Sequence, residues 1–245
     1  MIRPRQTGRP VWVNALLLGL AAIVLATLTG LGIWQLQRLS WKLDLIAAVE
    51  SRAYGAPVAP PVGAVTAEED AYRRVVIAGA YRHDASIRVK AITELGPGHW
   101  ILAPLSTEAG HIWINRGFAP TGSDAAAWLK PEGSVSVEGL LRITEPGGTL
   151  LESNDPARDR WVSRDIAALS EHTGLSDAMP YFIDADHVAA PDAWPRGGLT
   201  IVTFRNPHLS YALTWFTMAA LFLGAMVYVI YSKKNAPDEE PSLQN

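Results

Sequence analysis

The chain has no cysteine. That excludes disulfides, thiolate zinc sites, a cysteine nucleophile and the C-x-x-C-H attachment of covalent haem. It also lacks a strong charge of either sign: 21 Lys and Arg against 24 Asp and Glu leave a net charge of −3, which argues against nucleic acid or another polyanion as a partner. Neither H-x-x-x-H, H-E-x-x-H nor G-x-S-x-G occurs, and Gly147 and Gly148 follow a proline and open no helix, so they form no phosphate-cradling loop. No internal repeat is present. Together these gaps remove the usual signatures of a soluble enzyme, and the chain is read as having no enzymatic activity.

What the chain does have is two long apolar runs, residues 11–33 and 209–231, each without a charged side chain. A run of roughly 20 apolar residues crosses the ~30 Å hydrocarbon layer of a bilayer, and no other run here reaches that length. The first run, preceded by Arg3, Arg5 and Arg9, is too long for the 7–15-residue core of a secretory signal peptide. Cationic residues near span ends favour the cytoplasmic side. Arg3, Arg5 and Arg9 before the first run, and Lys233 and Lys234 after the second, therefore predict cytoplasmic termini. Trp12, Trp215, Tyr228 and Tyr231 suit the interfaces. The ten residues before the first run leave no room for an organelle-targeting peptide, which favours a bacterial cell inner membrane.

The expected organisation is a cytoplasmic N-terminus over 1–10, transmembrane helices over 11–33 and 209–231, a periplasmic β-rich domain over 34–208 and a cytoplasmic tail over 232–245. Trp34, Arg38, Trp41 and Leu45 continue a helical pattern beyond the first run, up to Arg52. Residues 54–70, with Pro57, Pro60, Pro61 and Gly63, read as a linker or extended strap. Alternating or β-branched runs follow at 72–81, 86–93, 100–105, 111–118 and 135–143, separated by turn signals at Gly96, Pro97 and Gly98 and at Glu108, Ala109 and Gly110. A helix over 163–172, capped by Ser163 and stopped by Gly174, precedes two further strands at 181–184 and 199–204. The fold class predicted is an integral membrane protein: two transmembrane α-helices flanking an extracytoplasmic α+β domain with a mainly antiparallel sheet or small barrel.

Chemistry gathers at the outer mouths of the two spans. His208 opens the second, with Tyr211 and Trp215 at i+3 and i+7 on the same helical face. A neutral imidazole beside aromatic surface suits an axial ligand of haem iron, and equally suits an interfacial polar cap with aromatic anchors. Trp34, Gln35, Arg38, Trp41 and Lys42 cluster where the first span ends. The cations Arg38 and Lys42 could meet propionates or lipid headgroups. His83 with Asp84, and Asp184, Asp186 and His187, place carboxylates near imidazoles in turn-rich stretches, where a solvated surface is the ordinary reading. Trp113, Asn115, Arg116 and Gly117 in the second hairpin strand are explained by core packing and turn chemistry.

These pieces, in order, resemble the Surfeit locus protein 1 family of cytochrome c oxidase assembly factors over nearly the whole chain. The resemblance rests on Gly32, Trp34, Gln35, Arg38, Trp41 and Lys42, on Trp113, Asn115, Arg116 and Gly117, and on Asn206, His208, Tyr211, Ala212, Trp215 and Phe216. Val137, Glu138 and Gly139, Trp161, and Pro180 with Tyr181 add weaker agreement. The resemblance implies an assembly factor for haem-copper cytochrome c oxidase that binds haem a noncovalently and assists its insertion into subunit I, with His208 as axial ligand of the haem iron. Tyr211, Trp215 and Trp34 are then expected to line the porphyrin, and Arg38 or Lys42 to meet its propionates. Subunit I, haem a synthase and membrane lipid are the expected partners. The alternative is a membrane scaffold that binds no haem and grips subunit I or haem a synthase through an exposed hairpin at 113–118.

Overall fold

A computed structural model describes residues 10–148, 152–190, 192–200, 202 and 204–235. Arg3, Arg5, Arg9, two of the six residues of the strand expected at 199–204 and most of the C-terminal tail lie outside those residues. The chain divides into two compact units, Met1–Ile46 with Phe204–Asn245, and Ala47–Thr203.

The first unit is a pair of helices. Helix α1 runs Val11–Ala53, far beyond the apolar run at 11–33, its last residues belonging to the second unit. The last helix, α3, spans His208–Lys234 and contains the run at 209–231. Both are long and apolar enough to cross a membrane, which fits a two-pass membrane protein. On α1 the shielded positions include Ala21, Leu25, Leu28, Gly32, Gln35, Leu39 and Lys42; on α3 they include His208, Ala212, Trp215, Ala219, Phe222 and Met226. Both series step by four and three, the 3.5-residue period that keeps two helices in register along one seam. The seam is antiparallel: Gln35 meets His208, while Gly32, one turn earlier on α1, meets Phe216, two turns later on α3. Gly32 makes room for the Phe216 ring, since a Cβ would fall 2.6 Å from it and the ring would have to shift.

The second unit is a closed sheet. Strands β1 (Arg74–Tyr81), β2 (Ile87–Thr93), β3 (Gly96–Thr107), β4 (Gly110–Pro120), β5 (Ser134–Ile143) and β6 (Ala178–Ala185) pair in the order β1-β5-β6-β4-β3-β2. Ala80↔Ser106 and Tyr81↔Leu105 join β1 to β3, closing five strands into a barrel and leaving β2 as a sixth strand on its flank. All pairs are antiparallel except β4 with β6, so the sheet is mixed. Closure matters because it removes open edges that would otherwise recruit foreign strands.

Alternation along the strands gives the barrel two apolar layers. Val75, Leu105, Ile112, Ile114, Val137, Leu141, Tyr181 and Ile183 fill its interior. Residues of opposite parity, Trp113 and Phe182, join Ile87, Val89, Leu102 and Trp161 on the outer face, where helix α2 (Ile166–Thr173) covers them with Ile166 and Leu169. Trp113 is fully buried and its indole N–H donates to Ser170 Oγ at 2.9 Å, so the ring packs without an orphaned donor. Each such buried large side chain contributes about 1.5–3 kcal/mol of transfer free energy.

Several boundaries depart from the sequence reading for identifiable reasons. Gly96, Pro97 and Gly98 are not a turn but the start of β3; the turn is Glu94 and Leu95. Both hairpin turns use one four-residue pattern, Thr93-Glu94-Leu95-Gly96 and Thr107-Glu108-Ala109-Gly110. In each, the Thr Oγ1 accepts the backbone N–H two residues on, at 3.1 and 3.2 Å. Helix α2 is capped by Asp165, which accepts from Ala168 N, and not by Ser163. Ser163 Oγ instead accepts from Gly148 N and Asn154 Nδ2. The described residues of 199–204 form no strand. The strap at 54–70 is pinned: Arg52 donates to the Glu68 and Glu69 carbonyls, and Tyr181 Oη donates to Pro61 O at 2.7 Å. Arg74 Nε donates to Ala53 O at 2.9 Å, satisfying a carbonyl at the end of α1.

Candidate functional site

Two polar constellations stand out, one in each unit. In the barrel unit, Asp184 is buried on the outer face of β6. Its Oδ1 accepts from Asn115 Nδ2 at 2.8 Å and from Arg164 at 3.4 Å; its Oδ2 accepts from Arg142 at 2.8 Å and from Thr200 Oγ1 at 2.6 Å. Arg164 also makes a two-pronged contact with Glu145 at 2.9 and 2.6 Å. Two guanidinium groups thus face two carboxylates. Burial pulls the Arg164 pKa down, but the Glu145 hydrogen bond and the Asp184 charge outweigh it and leave the guanidinium raised. Asn115 Oδ1 accepts from Gly117 N at 3.1 Å, tying the network to the next turn of chain. Every polar end is matched, which makes this an internal strut.

The other acid–imidazole neighbours are engaged at least in part. His83 Nε2 lies 2.8 Å from Pro131 O, while its buried Nδ1 has no hydrogen-bond partner among the described residues. The Arg82 hydrogen bond at 2.8 Å holds the Asp84 carboxyl below its ordinary range. Asp186 joins Glu138 on Arg74 at 2.7 and 2.6 Å, and His187 Nε2 lies 3.1 Å from Ala190 O. The stretch at 113–118, taken as a gripping hairpin, is the barrel's central strand: Trp113 and Phe118 are wholly buried and offer a partner no surface.

The helix pair is different. His208 is the first residue of α3, half-buried in the seam. Its Nδ1 lies 2.8 Å from Gln35 Oε1, and Gln35 is itself only 9% exposed. Nε2 has no hydrogen-bond partner among the described residues. One ring nitrogen is anchored and the other is open, the division of labour seen wherever an imidazole binds a metal through one nitrogen and is oriented through the other.

Of the other residues picked from sequence, Trp215 and Lys42 lie on the shielded stripes with His208 and Gln35. Tyr211 and Trp34 point outward, 53% and 52% exposed. Arg38 is exposed and lies over the Trp41 ring, 4.0 Å from its centroid. The stripe of Trp34, Arg38, Trp41 and Leu45 is therefore the outer face of α1, one position out of phase with Gln35. The residue sequence reasoning left out of the site is Gln35. Its signal was available as a lone uncharged polar side chain between Gly32 and Leu39 on a stripe of 3.5-residue period. Among the described residues no three His, Cys, Asp or Glu side chains converge as a metal site would need.

The SURF1 family model matches residues 22–220, a stretch that includes about the last three-quarters of α1, the whole barrel unit and the first half of α3. Surfeit locus protein 1 of Homo sapiens is 33% identical over 219 residues, covering 81% of this chain and 72% of that protein. Its counterpart in Takifugu rubripes is 30% identical over 219 residues, covering 81% and 90%. A SURF1-like protein of Monosiga brevicollis is 30% identical over 217 residues, covering 82% of each. With a match across the barrel and both halves of the Gln35–His208 contact, the chain belongs to the SURF1 family.

Proposed function

We propose that this chain is an assembly factor for haem-copper cytochrome c oxidase that takes haem a as cargo and assists its insertion into subunit I. The observation that carries the reading is the half-engaged imidazole of His208, anchored through Nδ1 on Gln35 with Nε2 open, in a chain of this family. An iron ion needs four or more donors, and His208 supplies one; a metal held here brings the rest with it, as the four nitrogens of a porphyrin do.

The chain's own residues supply the remaining chemistry. Trp215 offers apolar aromatic surface on the same stripe as His208. Lys42 is half-buried and makes no ion pair among the described residues, so it is the better placed of the two cations for a propionate, whereas Arg38 stacks on Trp41. Tyr211 and Trp34, exposed on their helices, suit the rim of a bound macrocycle or the lipid interface. In this reading the helix pair crosses the bacterial inner membrane, both termini are cytoplasmic, the barrel unit is periplasmic, and subunit I and haem a synthase are the partners. The step is a transfer of cargo, with no bond made or broken in the macrocycle.

The test is haem loading. Protein purified from cells that make haem a should carry its absorption bands, and His208→Ala should lose at least nine-tenths of the bound haem. Full occupancy in His208→Ala would remove His208 as the ligand.

A further inference from the structure

Gln35 lies in the seam one turn from Gly32, and its carboxamide meets His208 across the two helices at 2.8 Å. An amide oxygen only accepts, so the ring nitrogen it meets must bring the hydrogen. In a neutral imidazole this places the proton on Nδ1 and the lone pair on Nε2, the nitrogen that faces away from Gln35. Free histidine in water prefers the opposite tautomer, with the proton on Nε2 and no lone pair there to give a metal. The contact therefore selects the minority form. Carbonyl and carboxylate partners of metal-bound histidines fix the ring orientation and tautomer in the same way.

The surroundings keep the contact in place. Gln35 is shielded, so water competes weakly for its oxygen. The missing side chain at Gly32 lets the Phe216 ring sit against α1, which holds the two backbones close enough for a short amide side chain to reach the imidazole. A leucine at position 35 would fill similar volume and leave Nδ1 with nothing to donate to.

We propose that Gln35 is a positioning residue for His208: its Oε1 fixes the tautomer that leaves Nε2 free to bind iron. The proposal rests on the haem-binding reading for its purpose, but its physical content is a property of the haem-free protein.

The experiment uses the full chain in lipid nanodiscs with nitrogen-labelled histidine. Ring-nitrogen NMR shifts report which nitrogen of His208 carries the proton, with His208→Ala assigning the signal. The wild type should show the Nδ1–H form at neutral pH. Gln35→Leu should lose that preference and bind haem a about 10- to 100-fold more weakly, the range for removing an outer partner of a metal ligand. Gln35→Glu, which keeps an acceptor, should retain the tautomer and bind haem a at least as tightly as wild type. A wild-type His208 protonated on Nε2, or a tautomer unchanged in Gln35→Leu, would overturn the proposal. Should Gln35→Leu fail to fold, the wild-type spectrum and the Gln35→Glu pair still decide it. A tautomer that behaves as expected while no variant retains haem a would sink the haem reading and leave the positioning role standing.

Discussion

In the barrel, Asp184 commits both carboxylate oxygens to neighbours; in the helix pair, His208 commits one ring nitrogen and keeps the other. The two groups are alike in setting, both shielded and both held by an amide side chain, Asn115 in one case and Gln35 in the other. They differ in what is left over. Around Asp184 two guanidiniums balance two carboxylates, and the only thing the cluster can do is hold β4, β5, β6 and the segment at 164 together. Around His208 one ring nitrogen has no hydrogen-bond partner among the described residues, and a half-buried group with spare capacity is where a ligand has something to meet. A search for titratable residues alone would rank the barrel cluster higher, having more charges; an accounting of donors and acceptors ranks the imidazole higher.

The sharpest way to break that comparison is to open the closed cluster. Asp184→Ala leaves Arg142 and Arg164, whose side chains are 19% and 14% exposed, without the carboxylate between them. Breaking a buried pair from one side costs about 3–5 kcal/mol, because the surviving charge stays desolvated. Denaturant unfolding of the full chain in detergent, followed by the fluorescence of the buried Trp113 and Trp161, should show a loss of that size. His208→Ala should move the same transition by less, about 1–2 kcal/mol, since truncation leaves the shielded Gln35 amide without its partner but no unbalanced charge. Equal losses from the two variants would mean that His208 is as structural as Asp184.

A smaller effect tests whether the barrel's rigidity depends on backbone approach as well as on charge. Gly117 follows Asn115 and Arg116 on β4 with φ +121°, and a Cβ there would fall 2.1 Å from the Arg196 carbonyl, just where Phe118 and Arg196 exchange backbone hydrogen bonds at 2.9 and 2.8 Å. Gly117→Ala should cost about 1–3 kcal/mol from the backbone conformation alone. Limited proteolysis should then cut first near Arg196, where the segment is peeled from β4. A variant as resistant as wild type would mean the neighbouring backbone gives way freely.

Much of the fold was legible because its signals are local. Two charge-free runs predict two long helices, and period-two alternation finds β1, β2, β4 and β5 to within about two residues at each end. Helix α2 was found but shifted by three residues, because Ser163 and Asp165 are both good caps and only packing of Ile166 and Leu169 on the sheet chooses between them. Barrel closure through Ala80 and Tyr81, and the parallel pairing of β4 with β6, are long-range facts that no window of sequence contains. The same holds for the candidate site. His208 could be named from a helix start and aromatic spacing, but its partner Gln35 is 173 residues away and had to be found in space. Tyr211 was grouped with it by its i+3 spacing and Trp34 by its place at the end of the first span, but both face outward, and the shielded stripe runs instead through Gln35, Ala212 and Trp215.

The mildest prediction concerns two phenols, both in the barrel unit. Burial pushes the Tyr81 and Tyr181 hydroxyls up to about 12 from the ordinary 10.0, with Asp70 adding to the effect at Tyr181. Both are protonated in the folded state at a pH where the unfolded chain has begun to release the proton. Their contribution to stability is therefore fully present below pH 10 and is lost as pH rises toward 12. Tyr181 has a specific consequence, because its hydroxyl is the donor to Pro61 O that holds the strap at 54–70 against the barrel. Deprotonation removes that donor and sets a phenolate against a carbonyl oxygen, so the strap should loosen at alkaline pH before the barrel opens. Tyr181→Phe should remove the strap's alkaline release, seen by amide hydrogen exchange of residues 58–66, while Tyr81→Phe should leave it in place. Protection factors of the strap that are alike at pH 8 and pH 11 in the wild type would show that Arg52 and the pairing of Val58 with β1 hold it without Tyr181.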